Sequence, residues 1–298
     1  MRVDAILTGD LHLREDPPIC RTDDFLKAQE KKLMWLRDLQ KKYRCPVIDS
    51  GDVFHKWKSS PWLLKLAIDL LPNEFYTIPG NHDLPGHNLN QFDKSGLAVL
   101  ISAGVAKWPK KAVCGLSCPV YSFPWGTSPK PRSDESRKTE SLAIAHIMVW
   151  QGEIPWPGCE DPSAKQFLRK MKGYKLVLTG HNHKPFVEEL NGRLLVNPGS
   201  LMRTTVDQIN HKPRVYLWDQ EKNCVTPEYV PIETEVISRE HLEKKEERDK
   251  RISAFIERLS DNYEISGNFQ SNLEKFYSIN KIRESVKRII ANAMDMGR

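Results

Sequence analysis

Side chains able to bind metal ions occur in five short segments of the chain, and each segment follows a run of apolar residues. The segments are Asp10-Leu11-His12, Gly51-Asp52, Gly80-Asn81-His82-Asp83, the single residue His146, and Gly180-His181-Asn182-His183. Imidazole nitrogens combined with carboxylate and amide oxygens suit Mn²⁺, Fe or Zn²⁺ better than Mg²⁺ or Ca²⁺, which prefer oxygen ligands. The set is large enough to hold two divalent ions with one carboxylate between them, as two-metal hydrolysis of a phosphoester requires.

The first three segments each stand at the end of a predicted strand. Strands are expected over 3–8, 46–48 and 75–78, and helices over about 23–43 and 60–71 lie between them. This alternation predicts a parallel or mixed sheet with helices on its outside. Ligands bind at the carboxyl ends of the strands in such sheets, and the three segments are placed at those ends.

The middle of the chain predicts further strands with shorter connections. A buried strand over 142–149 carries His146 in its middle, and a strand over 176–179 precedes the two histidines of the fifth segment. Asn191-Gly192 is a favoured pair for a type I′ turn and predicts a hairpin. The remaining predictions are strands over 113–116, 120–123, 215–218 and 225–230, and helices over 92–103 and 162–171.

The segment 126–138 is basic and rich in proline, with Lys130, Arg132, Arg137 and Lys138. It is predicted to be an exposed loop. Two interpretations stay open: a solvated connector, or a mobile element near the phosphates of a substrate.

The net charge of +6 is distributed unevenly. Residues 232–298 contain thirteen acidic and thirteen basic side chains, so the whole excess lies in 1–231. From about 232 the chain is a charged helical run with apolar stripes at helical spacing. We therefore expect a catalytic domain over 1–231 and a helical appendage over 232–298, which either packs within the protein or docks on a partner.

The longest apolar runs are too short to cross a bilayer, and the N-terminal residues lack the apolar core of a signal peptide. These features predict a cytoplasmic protein that makes no membrane contact. The hydrophobic share of 39% is sufficient for a folded core.

The five segments, in this order, resemble those of the calcineurin-like metallophosphoesterase superfamily, and the resemblance covers residues 3 to about 230. It implies an α/β fold, a two-sheet αββα sandwich, with a small C-terminal helical appendage here. It also implies two divalent metal ions and hydrolysis of a phosphoester by a metal-activated hydroxide. The implied ligands are Asp10, His12 and His183 for one ion, Asn81, His146 and His181 for the other, and Asp52 between them.

The same resemblance implies roles for His82 and Asp83. His82 would face the scissile phosphate, stabilise the charge of the transition state and protonate the leaving oxygen. Asp83 would orient His82 through a hydrogen bond.

Gly51-Asp52-Val53-Phe54-His55 most resembles the SbcD-type DNA-repair exonucleases, in which the position of His55 contacts a DNA phosphate. This implies a Mn²⁺-dependent DNA nuclease in repair or recombination, with Fe or Zn²⁺ as other candidate metals. The implied partners are DNA and an SMC-like coiled-coil ATPase bound through the C-terminal helices, and a homodimer is a further expectation. In contrast with that family, the region after 230 is short and wholly helical, which leaves handling of duplex DNA open.

Two alternatives stay open at this point. One is a small-molecule or nucleotide phosphodiesterase of the same superfamily, which needs neither a basic loop nor a helical tail. The other is a non-catalytic scaffold on this fold, for which missing metal ligands would be expected, whereas every ligand position is filled here.

Overall fold

The computed structural model describes residues 2–132, 141–261 and 269–295. The chain divides into two compact units, Met1–Ser238 and Arg239–Arg298. The larger unit contains both sheets and all five metal-binding segments, and the smaller unit consists of helices.

The first sheet of the larger unit has the strand order β10-β9-β1-β2-β3. Strands β1, β2 and β3 are parallel, whereas β9 is antiparallel to β1 and to β10. Parallel strands with helical connections bring their carboxyl ends to one edge. The strands are β1 (Ala5–Thr8), β2 (Val47–Asp49), β3 (Phe75–Tyr76), β9 (Arg214–Asp219) and β10 (Cys224–Tyr229).

The second sheet has the order β4-β5-β6-β8-β7. Its first four strands in that order are parallel, and β7 pairs with β8 as an antiparallel hairpin. The hairpin turns at Asn191 and Gly192, both with positive φ, as a type I′ turn requires. The strands are β4 (Val120–Phe123), β5 (Leu142–His146), β6 (Leu176–Gly180), β7 (Phe186–Leu190) and β8 (Arg193–Asn197).

In the described part of the larger unit, four α-helices cover the outer faces of the two sheets. They are α1 (Phe25–Tyr43), α2 (Pro61–Leu70), α3 (Gly96–Ser102) and α4 (Ala164–Lys170), and short 3₁₀ helices span Pro85–His87, Leu89–Lys94 and Val206–Asn210. Side chains alternate between the faces of a strand. Ile6 of β1 therefore packs toward the helices, while Leu7 joins the core between the sheets with Ile144 and Leu178 of the second sheet. The predicted αββα sandwich is confirmed.

Local hydrogen bonds fix the helix starts. The Asp24 side chain accepts from the Lys27 amide at the start of α1, and the Ser60 side chain accepts from the Leu63 amide at the start of α2, which has Pro61 in its first turn. Such caps satisfy amide groups that have no partner within the helix.

Three local predictions were wrong. Residues 113–116 form a turn rather than a strand, with positive φ at Gly115 and a bond from the Leu116 amide to the Val113 carbonyl. The predicted helix over 92–103 is interrupted at Ser95, whose side chain caps α3. Strand β5 ends at His146 instead of continuing to 149, so His146 is at the carboxyl end of its strand like the other segments.

The smaller unit contains α5 (Glu240–Asp261), α6 (Phe269–Ile279) and α7 (Glu284–Asp295). Leu273 and Phe276 of α6 are buried, and the Phe276 ring meets the Phe255 ring of α5 at a centroid distance of 5.2 Å. Among the described helices, none is both long and apolar enough to cross a membrane.

Candidate metal centre

The carboxyl ends of strands from both sheets meet at one site. Asp10 and His12 follow β1, and Asp52 follows β2. His146 ends β5, and His181 comes directly after β6. Because each sheet supplies part of the site, the packing of the two sheets determines its geometry. The structure brings together all seven residues predicted to bind metal: Asp10, His12, Asp52, Asn81, His146, His181 and His183.

The first cluster contains Asp10, His12 and His183, with one ligand atom from each lying within 4.8 Å of the others. The two imidazole Nε2 atoms are 3.0 Å apart. Asp10 Oδ1 lies 4.0 Å from His12 Nε2 and 3.9 Å from His183 Nε2. These three atoms converge on one point, as the ligands of a single cation do.

The second cluster contains Asp52, His146 and His181. Asn81 joins it, because its Oδ1 lies 3.1 Å from His146 Nε2 and 2.9 Å from His181 Nδ1. One carboxylate, two imidazoles and one amide oxygen form a donor set typical of a divalent transition-metal ion.

Asp52 connects the two clusters. Its Oδ2 lies 3.2 Å from His146 Nε2 in the second cluster and 3.7 Å from His12 Nε2 in the first. This oxygen is buried, and apart from its close contacts with these imidazoles it has no hydrogen-bond partner among the described residues. Oδ2 of Asp10 is also buried and has no hydrogen-bond partner among them. A buried carboxylate oxygen without a partner is costly unless a cation binds it. The residues present therefore fit a pair of divalent ions that share Asp52.

Burial and mutual attraction shift the protonation of these groups. Burial raises the pKa of Asp10 and lowers the pKa of His12 well below its usual value. Burial opposes ionisation of Asp52, yet attraction to His146 holds the pKa of this carboxyl below its usual range. Burial also opposes a charge on His146, but Asp52 outweighs it and raises the pKa of His146 to about 10. Without a bound ion, a charged His146 thus balances part of the negative charge of Asp52, as a cation would.

The backbone at the site is held in an uncommon conformation. Asp10, His12, Asp52 and His181 all have positive φ, which costs free energy for residues other than glycine. Glycines allow the backbone to approach the metal-binding side chains closely. A Cβ on Gly51 would lie 2.7 Å from His146 Nδ1, and a Cβ on Gly80 would lie 2.1 Å from Asp52 Oδ1.

His55 and His82 form a third cluster with His12. The rings of His55 and His82 stack with centroids 5.3 Å apart, and the His82 centroid is 4.8 Å from that of His12. The His82 amide donates to Asp52 Oδ1 at 2.8 Å, which ties His82 to the carboxylate shared by the other two clusters. Burial lowers the pKa of His55 to about 4, so its imidazole is neutral at physiological pH.

Asp83 was predicted to orient His82, and the structure assigns it a different position. Its carboxylate accepts hydrogen bonds from the amides of Val53, Phe54 and Gly80 at 3.3, 2.9 and 3.0 Å. His82 Nδ1 instead lies 2.8 Å from the backbone carbonyl of His55, to which it donates. Asp83 therefore fixes the loops that follow β2 and β3, because three amides point at it. Burial, with Asp52 nearby, raises the pKa of Asp83 to about 7.

Several residues that support the site were not predicted. Asp49 at the end of β2 accepts from the Gly51 amide and the Thr77 hydroxyl. Asn197 donates to the carbonyls of Asn182 and Lys184, on either side of His183, at 2.6 and 2.8 Å. The signal for Asn197 was the Asn-Pro-Gly-Ser segment, and for Asp49 an acidic residue within an apolar strand.

An open cavity of about 400 Å³ adjoins the metal-binding histidines. His181 and His183 form one side of it, and Lys184 and His211 contribute further polar groups. The His181 ring also packs against the ring of Trp125, with the two centroids 4.9 Å apart. A substrate in this cavity would thus reach the ligands of both clusters.

The basic segment 126–138 lies only partly within the described residues. The Arg132 guanidinium packs over the Tyr121 ring at 5.4 Å, and the Arg132 amide donates to the carbonyl of Lys172. Arg137 and Lys138 lie outside the described residues, so the interpretation of this segment as an element near substrate phosphates stays a prediction.

A family model described as a calcineurin-like phosphoesterase superfamily domain matches residues 4–218. An archaeal phosphodiesterase structure is 14% identical, with a TM-score of 0.39 over 76% of this chain and 98% of that chain. A phosphopantetheinyl hydrolase from Mycobacterium tuberculosis is 14% identical, with a TM-score of 0.44 over 70% and 92% of the respective chains. A 5'-nucleotidase precursor from Thermus thermophilus is 13% identical, with a TM-score of 0.44 over 85% and 59%. No curated protein matches the chain.

Proposed function

The chain belongs to the calcineurin-like phosphoesterase superfamily, and we propose that it is a Mn²⁺-dependent nuclease acting on the phosphodiester bonds of DNA. The superfamily consists of metal-dependent hydrolases that use two divalent ions. Bound ions would neutralise negative charge on the phosphoester and lower the pKa of water. The donor set of imidazoles, carboxylates and one amide favours Mn²⁺, Fe or Zn²⁺ over Mg²⁺.

The chain's own residues take distinct roles in this proposal. One ion would be held by Asp10, His12 and His183, and the other by Asn81, His146 and His181. Asp52 would contact both, because its Oδ2 lies close to His12 of one cluster and to His146 of the other.

His82 is proposed to act on the leaving group. Because Nδ1 donates to the His55 carbonyl, the ring is held in one orientation and its other nitrogen is left for the substrate. A proton on that nitrogen would stabilise the developing negative charge and then pass to the leaving oxygen.

The observation that carries the DNA proposal is that polar and basic groups adjoin His12 in two separate clusters. In one flank, His55 stacks on His82 and is followed in the chain by the exposed Lys56, whose ammonium lies 3.3 Å from Asp16. In the second flank, His183 lies 3.0 Å from His12 and is followed by the exposed Lys184. An extended polyanion bound across the metal centre would contact polar and basic side chains of both flanks, as backbone recognition of a nucleic acid requires. A small phosphoester would need only one flank.

A second candidate is a small-molecule or nucleotide phosphodiesterase. The observation in its favour is the cavity beside His181 and His183, whose volume of about 400 Å³ falls in the range of pockets for small ligands. In that case the cavity would bind the whole substrate, and the flank at His55 would make no contact.

A substrate comparison with two variants separates the candidates. Linear single- and double-stranded DNA and a small chromogenic phosphodiester are incubated with Mn²⁺ and the purified full chain. We expect wild-type protein to cleave DNA, His82→Ala to lose activity on every substrate, and His55→Ala to lose activity on DNA alone. Hydrolysis of the small phosphodiester without cleavage of DNA would reject the nuclease proposal and favour the second candidate.

The C-terminal helices are proposed to dock on a coiled-coil ATPase, as in the DNA-repair exonucleases that the sequence resembles. Support comes from the apolar side chains exposed on α5 and α7, among them Ile252, Ile256 and Ile289. Apolar faces of this kind suit packing against a helical partner. Sedimentation velocity distinguishes this from a homodimer: a monomer is expected, whereas a dimer that Ile256→Glu dissociates would assign the face to a second copy.

A further inference from the structure

A second group of buried charged residues lies in the larger unit, outside the metal-binding clusters. It lines a cavity of about 250 Å³ formed by α1 and by the segments around 203 and 231–233. We call it the cation cavity. Its charged and aromatic lining consists of Arg21, Lys31, Lys32, Trp35, Arg203 and Glu233.

Two of the cations are paired with carboxylates. Arg21 donates from Nε and Nη2 to the Asp23 carboxylate at 2.7 and 2.6 Å. Lys31, at the exposed rim, lies 3.1 Å from Glu233. These pairs leave no negative charge over for the other two cations.

Lys32 and Arg203 are deeply buried and form no ion pair within the described residues, with only 6% and 5% of their surface exposed. The Lys32 ammonium donates one hydrogen bond, to the Leu201 carbonyl at 2.9 Å, and can donate two more. Arg203 donates to the carbonyls of Ile209 and Glu233, while its buried Nε has no hydrogen-bond partner. Unused donors of buried cations are costly unless a ligand accepts from them.

The local electrostatics favour the binding of an anion. Burial, together with repulsion from Arg21 and Arg203, lowers the pKa of Lys32 to about 7. Burial and repulsion from Arg21 also lower the pKa of Arg203. An anion in the cavity would reverse this repulsion and favour the charged form of Lys32.

We propose that the cation cavity binds a small oxyanion of the phosphate or sulfate type, held by the Lys32 ammonium and the Arg203 guanidinium. The class follows from the donors, since ammonium and guanidinium groups together recognise tetrahedral oxyanions. The size follows from the volume, because about 250 Å³ is below the usual range for drug-sized ligands. The anion is either a free ion or the phosphate group of a small phosphomonoester.

Calorimetry on the metal-free full chain tests this site apart from the metal centre. Inorganic sulfate is the first probe, because it does not titrate near neutral pH, and sodium chloride of equal ionic strength is the blank. We expect saturable binding of sulfate to wild-type protein, weakened about tenfold or more in Lys32→Met and in Arg203→Gln. The matched control is Lys41→Gln, an exposed lysine on the same helix, which should bind as wild type does.

Proton uptake gives a second readout that does not depend on affinity. If sulfate restores the charge on Lys32, the wild-type protein takes up a proton on binding near neutral pH, and the measured heat depends on the ionisation enthalpy of the buffer. Lys32→Met should remove that dependence.

Inorganic phosphate and glycerol 3-phosphate then distinguish a free ion from a phosphomonoester. Tighter binding of glycerol 3-phosphate would assign the site to an esterified phosphate, and equal or weaker binding would assign it to the free ion.

Circular dichroism verifies that each variant is folded. No saturable binding of any of the three anions by folded wild-type protein, or equal affinity in the wild type and both cavity variants, would overturn the proposal.

Discussion

The metal centre and the cation cavity are both buried polar clusters in the larger unit, but their charges are arranged in opposite ways. At the metal centre, carboxylates lie against imidazoles, and Asp52 Oδ2 is 3.2 Å from His146 Nε2. In the cation cavity, Lys32 and Arg203 lie near Arg21 and have no carboxylate of their own.

The difference shows how unused hydrogen-bonding atoms indicate the charge of a ligand. At the metal centre the buried atoms without partners include the acceptors Oδ2 of Asp10 and Oδ2 of Asp52, which suit cations. In the cation cavity the unused groups among the described residues are donors, on the Lys32 ammonium and at Nε of Arg203, which suit an anion. Each cluster is satisfied only by a ligand of the opposite sign.

The largest effect is expected from Asp52→Asn. An amide cannot supply the negative charge that both clusters share, so hydrolysis of every phosphoester should fall about 10³-fold, or about 4 kcal/mol in the activation free energy. Steady-state rates on a small phosphodiester with Mn²⁺ measure this. Asp69→Asn, which replaces an exposed acid on α2, is the control, and wild-type activity in Asp52→Asn would contradict the role of Asp52.

A smaller loss, about 10²- to 10³-fold in kcat, is expected from His82→Ala. His82 lies beside the ligands and is not one of them, so the bound metal should stay at the wild-type level. His87→Ala is the control, since the His87 ring centroid is 6.4 Å from that of His82 and the proposal gives it no role. Loss of metal together with activity would make His82 a ligand instead.

The affinity for Mn²⁺ should depend on pH through His146. Since the pKa of His146 in the metal-free protein is raised to about 10 by Asp52, a proton must leave when an ion binds. The affinity should therefore rise with pH, by about tenfold for each pH unit below that value. Electron paramagnetic resonance titrations at several pH values measure the free Mn²⁺, and a flat profile would contradict the proton-for-metal exchange.

Because Lys32 is a buried cation without a carboxylate partner among the described residues, the free energy of unfolding should depend on pH. The unfolded chain binds a proton at Lys32 up to about pH 10.5, whereas the folded chain releases it above its pKa of about 7. Stability should therefore rise with pH in this window, by at most about 1.4 kcal/mol per unit from this group. Lys32→Met should remove that contribution and raise the free energy of unfolding near neutral pH by about 1–4 kcal/mol. Urea unfolding in the absence of phosphate and sulfate measures both effects, and an unchanged pH dependence would contradict them.

Much of the metal centre could be predicted because each of its segments carries a signal in its own neighbourhood of the sequence. Asp10, Asp52 and His181 each come shortly after a run of apolar residues, and the rule that parallel strands align their carboxyl ends brings such residues together. The fold was predictable for the same reason, since alternating strands and helices leave few ways to bury the apolar faces.

The parts that were missed depend on contacts between distant segments. Asp83 could not be assigned to the amides of Val53 and Phe54 from the sequence, because that contact exists only once two loops have folded against each other. The cation cavity depends even more strongly on contacts between distant segments. Lys32 and Arg203 are separated by most of the larger unit, and each by itself has the sequence context of an ordinary surface residue.

Whether two ions share Asp52 is measured by the number of Mn²⁺ ions bound per chain, determined by mass spectrometry of the metal after equilibrium dialysis. We expect two ions for the wild-type protein, because the clusters of Asp10 and His146 each form a site. We expect fewer than two for Asp52→Asn, because both sites depend on that carboxylate. A single ion in the wild type, or two ions retained in Asp52→Asn, would contradict a centre that shares Asp52.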